Sequence, residues 1–341
     1  MKRALITGIT GQDGAFLAKL LLDKEYTVYG GIRRVASATT DRLERLGIAN
    51  RILFKNLDML EESSIVSAVK ETKPDEVYNL AAQSFVKESF NTPIYTCNVT
   101  GLGALRLLEA VRQYAPEARY YQASSSEMFG NNKNAPQNEK TPFKPASPYG
   151  AAKIFAHNMT VNYRESYGMH CSCGILFNHE SEYRGLKFVT RKITRAVALR
   201  NFPIKLGNLD SKRDWGHAED YVRAMWLMLQ QEQPDDYVIA TGVCRTVREF
   251  AEQTLQCIGT VVDWSGEGLE EKGINRETGE TLIKIDPDYY RPLDLHSLRG
   301  DYTNARKVLG WEPTISFGGL VQRMVDFDSK FLVNSVLGNG K

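Results

Sequence analysis

The chain has 341 residues, enough for about two domains rather than one simple core. Basic and acidic side chains nearly balance, 43 against 41, so the net charge of +2 points to no nucleic-acid or other polyanionic partner. The composition, 42% hydrophobic and 25% charged, is that of a soluble globular protein, and no apolar run reaches the roughly 18 residues of a membrane span.

The first stretch, MKRALITGITGQDGAFLAKLLL (1–22), has the apolar content of a signal peptide, but three glycines and Asp13 interrupt it. Read instead as structure, RALITG (3–8) is a β-branched strand and AFLAKLLLDK (15–24) a helix with Phe16, Leu17, Leu20 and Leu21 on one face. Between them lies GITGQDG (8–14), a strand-to-helix turn with glycines at 8, 11 and 14. Such a turn permits close backbone approach and leaves the N–H groups of a helix N-terminus for a pyrophosphate. Gly8, Ile9, Thr10, Gly11, Gln12, Asp13 and Gly14 are therefore assigned to a dinucleotide cofactor.

The second strand, YTVYG (26–30), runs into GIRR (31–34). A site that prefers NAD would place Asp or Glu there for the ribose 2′-hydroxyl. Arg33 and Arg34 suit a 2′-phosphate instead, so the expected cofactor is NADP. Asp58 and Met59 are placed at the adenine end, and Leu80, Ala81, Ala82, Gln83 and Ser84, after a strand at 76–81, at its middle.

A helix at 102–114 and strands at 118–123 and 171–177 continue the alternation, which implies a mostly parallel sheet covered on both faces. The fold class expected is α/β: a Rossmann-type doubly wound parallel sheet with a smaller α/β substrate-binding C-terminal domain. The boundaries expected are 1–180 for the cofactor domain, with segments near 210–245 returning to it, and 181–341 mainly for the smaller domain. Beyond 180 the pattern is less regular: helices near 190–200, 246–259 and 303–310, and a strand at 237–242. The turn-rich stretches 130–147 and 265–280 read as loops.

The chemistry concentrates at two places. QASSSEMFG (122–130) sets Glu127 just past a core strand, where a carboxylate is costly unless paired or used. SPYGAAK (147–153) opens a helix, with Ser147 as N-cap, Pro148 in the first turn, and Tyr149 and Lys153 on one face. A free tyrosine, with a pKa of about 10, is a poor base near neutrality. A neighbouring ammonium and an oxidised nicotinamide would lower that value enough for the tyrosinate to take a hydroxyl proton.

No metal is expected. Cys171 and Cys173 alternate within HCSCGILF (170–177) as strand residues, and His157, His170, His217 and His296 lack paired ligand spacing. The five cysteines form no disulfide framework, which fits a reducing cytoplasm.

Together these stretches resemble the extended short-chain dehydrogenase/reductase family, and within it the GDP-mannose 4,6-dehydratases. The resemblance covers nearly the whole chain through GITGQDG (8–14), NLAAQSFV (79–86), QASSSEMFG (122–130), SPYGAAK (147–153), GILFNHES (174–181), FVTRKITRAVA (188–198), KLGNLDSKRDWGHAEDYV (205–222) and DPDYYRP (286–292). It implies a lyase with tightly bound NADP that oxidises C4, eliminates water across C5 and C6, and returns hydride to C6. Tyr149 would be the O4 base, Lys153 its partner, Ser125 the hydroxyl on the C4 oxygen where the family usually has threonine, and Glu127 the C5 acid/base. It also implies cofactor contacts from Tyr95, His179 and Arg184, and a GDP-sugar held by Ser84, Asn178, Lys192, Arg213, Arg291 and Asp294.

Three stretches depart from the subgroup's usual sequence: KPASPY (144–149), EYR (182–184) and RPLDLHS (291–297), where Asp294 replaces a glutamate. They leave two alternatives open, the same chemistry on a GDP-manno-heptose and a non-catalytic NADP-sensing protein. The segment 33–46 resembles a loop that reaches a neighbouring subunit's cofactor, so a homo-oligomer, tetramer or dimer, is expected.

Overall fold

The computed structural model describes residues 1–34, 39–130, 132, 134–289 and 297–338. The first half alternates strand and helix: β1 (Arg3–Thr7), α1 (Gln12–Asp23), β2 (Thr27–Ile32), α2 (Asp41–Arg45), β3 (Leu53–Asn56), α3 (Glu62–Thr72) and β4 (Glu76–Asn79). Then come α4 (Val86–Asn91), α5 (Pro93–Thr96), a π-helical turn (Cys97–Leu102), α6 (Gly103–Tyr114), β5 (Arg119–Ser125), α7 (Pro148–Tyr167) and β6 (Cys171–Leu176). The second half holds β7 (Asn178–Glu180), α8 (Val189–Ala198), β8 (Ile204–Leu206), β9 (Lys212–His217), α9 (Ala218–Met228), β10 (Asp236–Ile239), β11 (Cys244–Thr246) and α10 (Val247–Gln256). It ends with β12 (Val262–Ser265), β13 (Lys272–Asn275), β14 (Thr281–Ile285), β15 (Ser297–Leu298), α11 (Thr303–Leu309) and α12 (Phe317–Gly338).

Seven strands form the central sheet in the order β10-β6-β5-β4-β1-β2-β3, every neighbouring pair parallel. The strand order reverses between β1 and β4, the place where open α/β sheets bind their ligands. Such strands are buried on both faces and read as apolar runs. Ala4, Leu5, Ile6, Val77, Tyr78, Tyr120 and Tyr121 are all fully buried. One apolar cluster packs α1 and α9 on one face of the sheet, and another packs α3, α6 and α7 on the other. A third cluster lies outside it, between α8, α10, α12 and the sheet β12-β13-β14-β8. A small sheet of β11, β9 and β15, with β7 also paired to β9, joins the two regions.

Several elements were not placed by the sequence reading, β3 and β13 among them. The strand β3 escaped it because LFKN is short and lies at the sheet edge with both ends exposed, so no alternation marks it. The stretch 265–280 is not wholly a loop, because it contains β13, paired on both sides by β12 and β14. No described helix is long and apolar enough to cross a membrane.

Candidate active site

A single cleft of about 1060 Å³ runs over the carboxyl ends of the parallel strands and across to α8 and β9. Its cofactor end is shaped by the glycine turn. A Cβ on Gly14 would lie 2.5 Å from the Gly8 carbonyl oxygen, and one on Gly8 would lie 3.0 Å from the Ala81 backbone. Real side chains do not fit at these distances, so the turn stays bare and the chain can approach a ligand closely. No side chain caps α1 at Gly11. Gly11, Gln12 and Asp13 line the cleft there. An uncapped helix start in a bare cradle is the donor set that a pyrophosphate requires. At the end of β2 the cleft is lined by Gly31, Ile32, Arg33 and Arg34, with no carboxylate among them, and an Arg33 guanidinium N–H donates to the Tyr95 hydroxyl at 3.4 Å. A dinucleotide with an extra phosphate fits this donor set.

A buried polar ladder crosses the sheet beneath the cleft. The Thr7 hydroxyl donates to Asn79 Oδ1 at 2.8 Å and accepts from the Leu80 and Ala81 amides. The Asn79 side chain donates to Gln122 Oε1 at 2.9 Å, and Gln122 donates to the Ala123 carbonyl at 3.1 Å. The same carbonyl accepts from Lys153 Nζ at 2.6 Å. The lysine is thereby held by backbone, and its ammonium lies 5.8 Å from the centre of the Tyr149 ring.

Tyr149 stands on the first turn of α7. Ser147 caps that helix by accepting from the Gly150 amide at 3.1 Å, with Pro148 following, as the sequence predicts. Gly150 brings the turn against the short 3-10 turn Ser126–Met128; a Cβ there would meet the Glu127 carbonyl oxygen at 2.7 Å. Ser125 accepts from the Glu127 amide at 3.2 Å and lines the cleft beside Tyr149. Ser125, Glu127, Tyr149 and Lys153 therefore converge on one wall of the cleft.

Burial raises the Tyr149 phenol to about 12; Ser125 opposes this and the Glu127 charge adds to it. Burial is thus the dominant influence on the phenol in the protein by itself. Burial also pulls Lys153 down to about 8, against the attraction of Asp13.

Across the cleft, Lys192 on α8 sits with its ammonium 3.2 Å from the centre of the Tyr289 ring, and burial lowers its pKa while Tyr289 opposes that. Arg213 on β9 and Asn178 on β7 line the same side. Arg184 Nε lies 3.0 Å from Glu180 Oε2. Every described residue assigned to a site from sequence lines the cleft except Ile9, whose side chain is wholly buried in the core beneath the turn. Arg291 and Asp294 lie outside the described residues. Sequence reasoning missed Tyr289, Lys187 and Lys87, which also line the cleft. Tyr289 stands in the quoted DPDYYRP, but nothing in the sequence marks its ring as a partner for a lysine 97 positions earlier.

Of two of the three departing stretches, only Tyr149 and Arg184 line the cleft. Glu182 pairs with His217 at 3.3 Å, and Tyr183 packs on Phe16 and Phe327. Lys144, Pro145 and Ala146 are not among the lining residues. The third stretch, apart from Ser297, lies outside the described residues.

His157, Cys173 and Asp236 place donor atoms within 4.8 Å of one another behind the sheet. Both Asp236 oxygens take bonds from the Arg164 guanidinium, at 3.0 and 3.3 Å, and Ser124 holds His157 Nδ1 at 3.0 Å. A cation there would have to displace the guanidinium, so the cluster reads as a structural ion pair. The Cys171 thiol is pushed up to about 12 by burial.

Comparison with known proteins shows the family. The family described as GDP-mannose 4,6 dehydratase matches residues 5–324. The chain belongs to the GDP-mannose 4,6-dehydratase family. A GDP-mannose 4,6-dehydratase of Sinorhizobium fredii is 50% identical, covering 97% of each chain. The Homo sapiens GDP-mannose 4,6 dehydratase is 48% identical over 96% of this chain and 92% of its own. Among solved structures, the UDP-glucose 4-epimerase of Thermus thermophilus in complex with NAD superposes with a TM-score of 0.81 at 23% identity, covering 96% of this chain and 98% of that one. RMD of Pseudomonas aeruginosa, complexed with NADPH, superposes at 0.75 and 21% identity, covering 97% of this chain and all (100%) of that one. At these identities the two structures speak for the fold.

Proposed function

We propose that this chain is a nucleotide-sugar 4,6-dehydratase, a hydro-lyase that converts GDP-mannose to GDP-4-keto-6-deoxy-mannose with tightly held NADP. The single observation that carries the reading is Glu127, a carboxylate beside Ser125 and Tyr149 on the wall of a dinucleotide cleft. An epimerase or simple dehydrogenase requires no acid/base at C5, whereas a dehydratase does.

When bound, NADP would accept hydride from C4 of the sugar and later give it back at C6. Tyr149 takes the O4 proton, with Ser125 bonding the same oxygen. Its phenol is costly to ionise in the protein alone, so proton removal is tied to the presence of positive charge from the oxidised cofactor and Lys153. Glu127 then removes the C5 proton, made acidic by the C4 ketone, and delivers a proton to the departing C6 hydroxyl. A positioned carboxylate in this role contributes about 10²–10⁴-fold. Lys192 and Arg213, with Asn178 beside them, supply fixed positive charge for the diphosphate, and Arg supplies forked donors. Arg33 and Arg34 support NADP over NAD.

We further assign the cofactor domain to 1–180 with β9, α9 and β10 returning to it, and the GDP-sugar domain mainly to 181–341. Exposed Phe90, Ile94, Leu102 and Phe155 on neighbouring helices of one face support a homo-oligomer. Free cysteines support a reducing cytoplasm.

The test is a Glu127→Gln variant in a single turnover with GDP-mannose and NADP+. The reading expects NADPH absorbance to rise and persist, because C4 oxidation proceeds and elimination stalls. Full dehydratase turnover by the variant would refute the assignment.

A further inference from the structure

His179 has both ring nitrogens on oxygen atoms. Nδ1 lies 2.7 Å from the Phe177 carbonyl oxygen and Nε2 lies 2.8 Å from Asp13 Oδ2. A carbonyl only accepts, and an ionised carboxylate only accepts. Both nitrogens must then donate, which only the imidazolium can do. The ring is buried and stacks on Tyr221 at 4.5 Å between centroids.

The pair sits in a polar seam. Gln12 donates to the His179 carbonyl at 3.2 Å and to Asp13 Oδ1 at 3.0 Å, and accepts from the Ser181 hydroxyl at 2.7 Å. Arg42 donates to the Thr10 carbonyl at 2.9 Å and to the Tyr183 carbonyl at 2.8 Å. Gln12 ties the helix opened by the phosphate turn directly to the segment 179–183, and Arg42 on α2 bridges the turn to the same segment. That segment runs on toward α8: Glu180 accepts from the Thr190 hydroxyl at 2.6 Å, and Lys192 follows on the same helix. Asn178, at the start of β7, lines the cleft.

A carboxylate at the first turn of a phosphate-binding helix would repel the ligand unless a fixed cation neutralised it. His179 is that cation. We propose that Asp13 and His179 form a buried carboxylate–imidazolium clamp that positions the phosphate turn and the substrate-side segment 178–192 as one unit, so that cofactor affinity and placement of the sugar nucleotide are set together. This rests on the reading of the cleft as a dinucleotide site.

The charges around the pair agree with its geometry. Burial pulls His179 down, but Asp13 more than reverses this and its pKa ends raised; Arg184, after β7, acts against it. Burial pushes Asp13 up, and His179 brings it down to about 2. The other titratable groups facing the pair are Arg42 on α2, Lys153 and Tyr149 on α7, Tyr121 on β5, and Tyr221 on α9. Among these Arg42 and Lys153 carry charge near neutrality, and both favour the ionised Asp13.

The chain contains 5 histidines, few enough to resolve by long-range ¹H–¹⁵N spectra of the intact ¹⁵N-histidine-labelled protein. One histidine should remain doubly protonated at about pH 7.5, where an ordinary imidazole is mostly neutral. That signal should vanish in His179→Gln and titrate normally in Asp13→Asn. Each single variant should weaken NADP+ affinity about 10- to 100-fold, while Asp13→Asn/His179→Gln, which strands no charge, should return to within about 5-fold of the parent. A merely structural contact would not be rescued by the second substitution. Five histidines neutral at that pH, or a double variant as weak as both singles combined, would overturn the proposal. The spectra need no cofactor, so a protein that holds the signal yet binds no NADP+ would refute the cofactor reading and leave the charge pair standing.

Discussion

Replacing Gly150 by alanine tests how tightly Tyr149 is placed. The added methyl would lie 2.7 Å from the Glu127 carbonyl oxygen and 3.2 Å from Pro145 Cβ. The first contact is about 0.7 Å short of ordinary van der Waals separation, so α7 and the 126–128 turn must move apart by about that much. Overpacking of this kind typically costs about 1–3 kcal/mol, which lowers the melting temperature of a chain this size by several degrees. The chemical cost should be larger in proportion. Tyr149 rides on α7 and Ser125 and Glu127 flank the other side, so the base, the hydroxyl and the carboxylate all lose register together. A displacement near 1 Å can cost about 10²-fold in rate, so kcat on GDP-mannose should fall about 10- to 100-fold. NADP+ affinity, measured by fluorescence titration, should change less than about 3-fold, because the glycine turn is untouched. A Gly150→Ala protein with unchanged kcat and unchanged melting temperature would refute the close approach and the site built on it.

Tyr149→Phe should lower kcat by at least about 10³-fold with NADP+ binding retained, measured by turnover and titration. Lys192→Met should raise the KM for GDP-mannose about 10- to 100-fold while kcat falls less, since it removes a phosphate contact and no reacting group. Lys153→Met bears on stability and pH. The wild-type lysine has its pKa lowered from 10.5 to about 8, so the unfolded chain binds more protons between those values and burial of the charged form costs stability below them. The variant should therefore be the more stable of the two below about pH 8, with the gap closing as pH rises toward 10.5; denaturant unfolding of the cofactor-free proteins at several pH values checks this.

Much of this was legible in sequence where local chemistry decides the outcome. The glycine turn, the cap at Ser147 and the Tyr149–Lys153 spacing are each set within a few residues, and each sits where the sequence places it. What was not legible depends on residues distant in the chain. Thr7, Asn79 and Gln122 look like ordinary strand residues until parallel pairing of β1, β4 and β5 lines them up. His179 reads only as a cofactor neighbour until β7 brings it to Asp13, 166 positions earlier. Nothing in the sequence marks Gly150; its necessity appears when the 126–128 turn packs against it. Ile9 shows the other side of this, because a motif assigns a run of residues while the turn points some side chains outward and buries others, that of Ile9 among them. The strand β13 was hidden by polar, turn-rich sequence that pairs on both sides regardless.

The most direct measurement is mass spectrometry of GDP-mannose incubated with the protein and catalytic NADP+ in D2O. The account predicts a product lighter by one water that carries solvent deuterium at C5, with no net NADPH. GDP-mannose recovered unchanged would contradict the assigned substrate, and water loss from GDP-manno-heptose alone would move the same chemistry to that sugar. A 4-keto product formed with stoichiometric NADPH, no water lost and no deuterium at C5 would contradict the central claim, that Glu127 makes this a dehydratase.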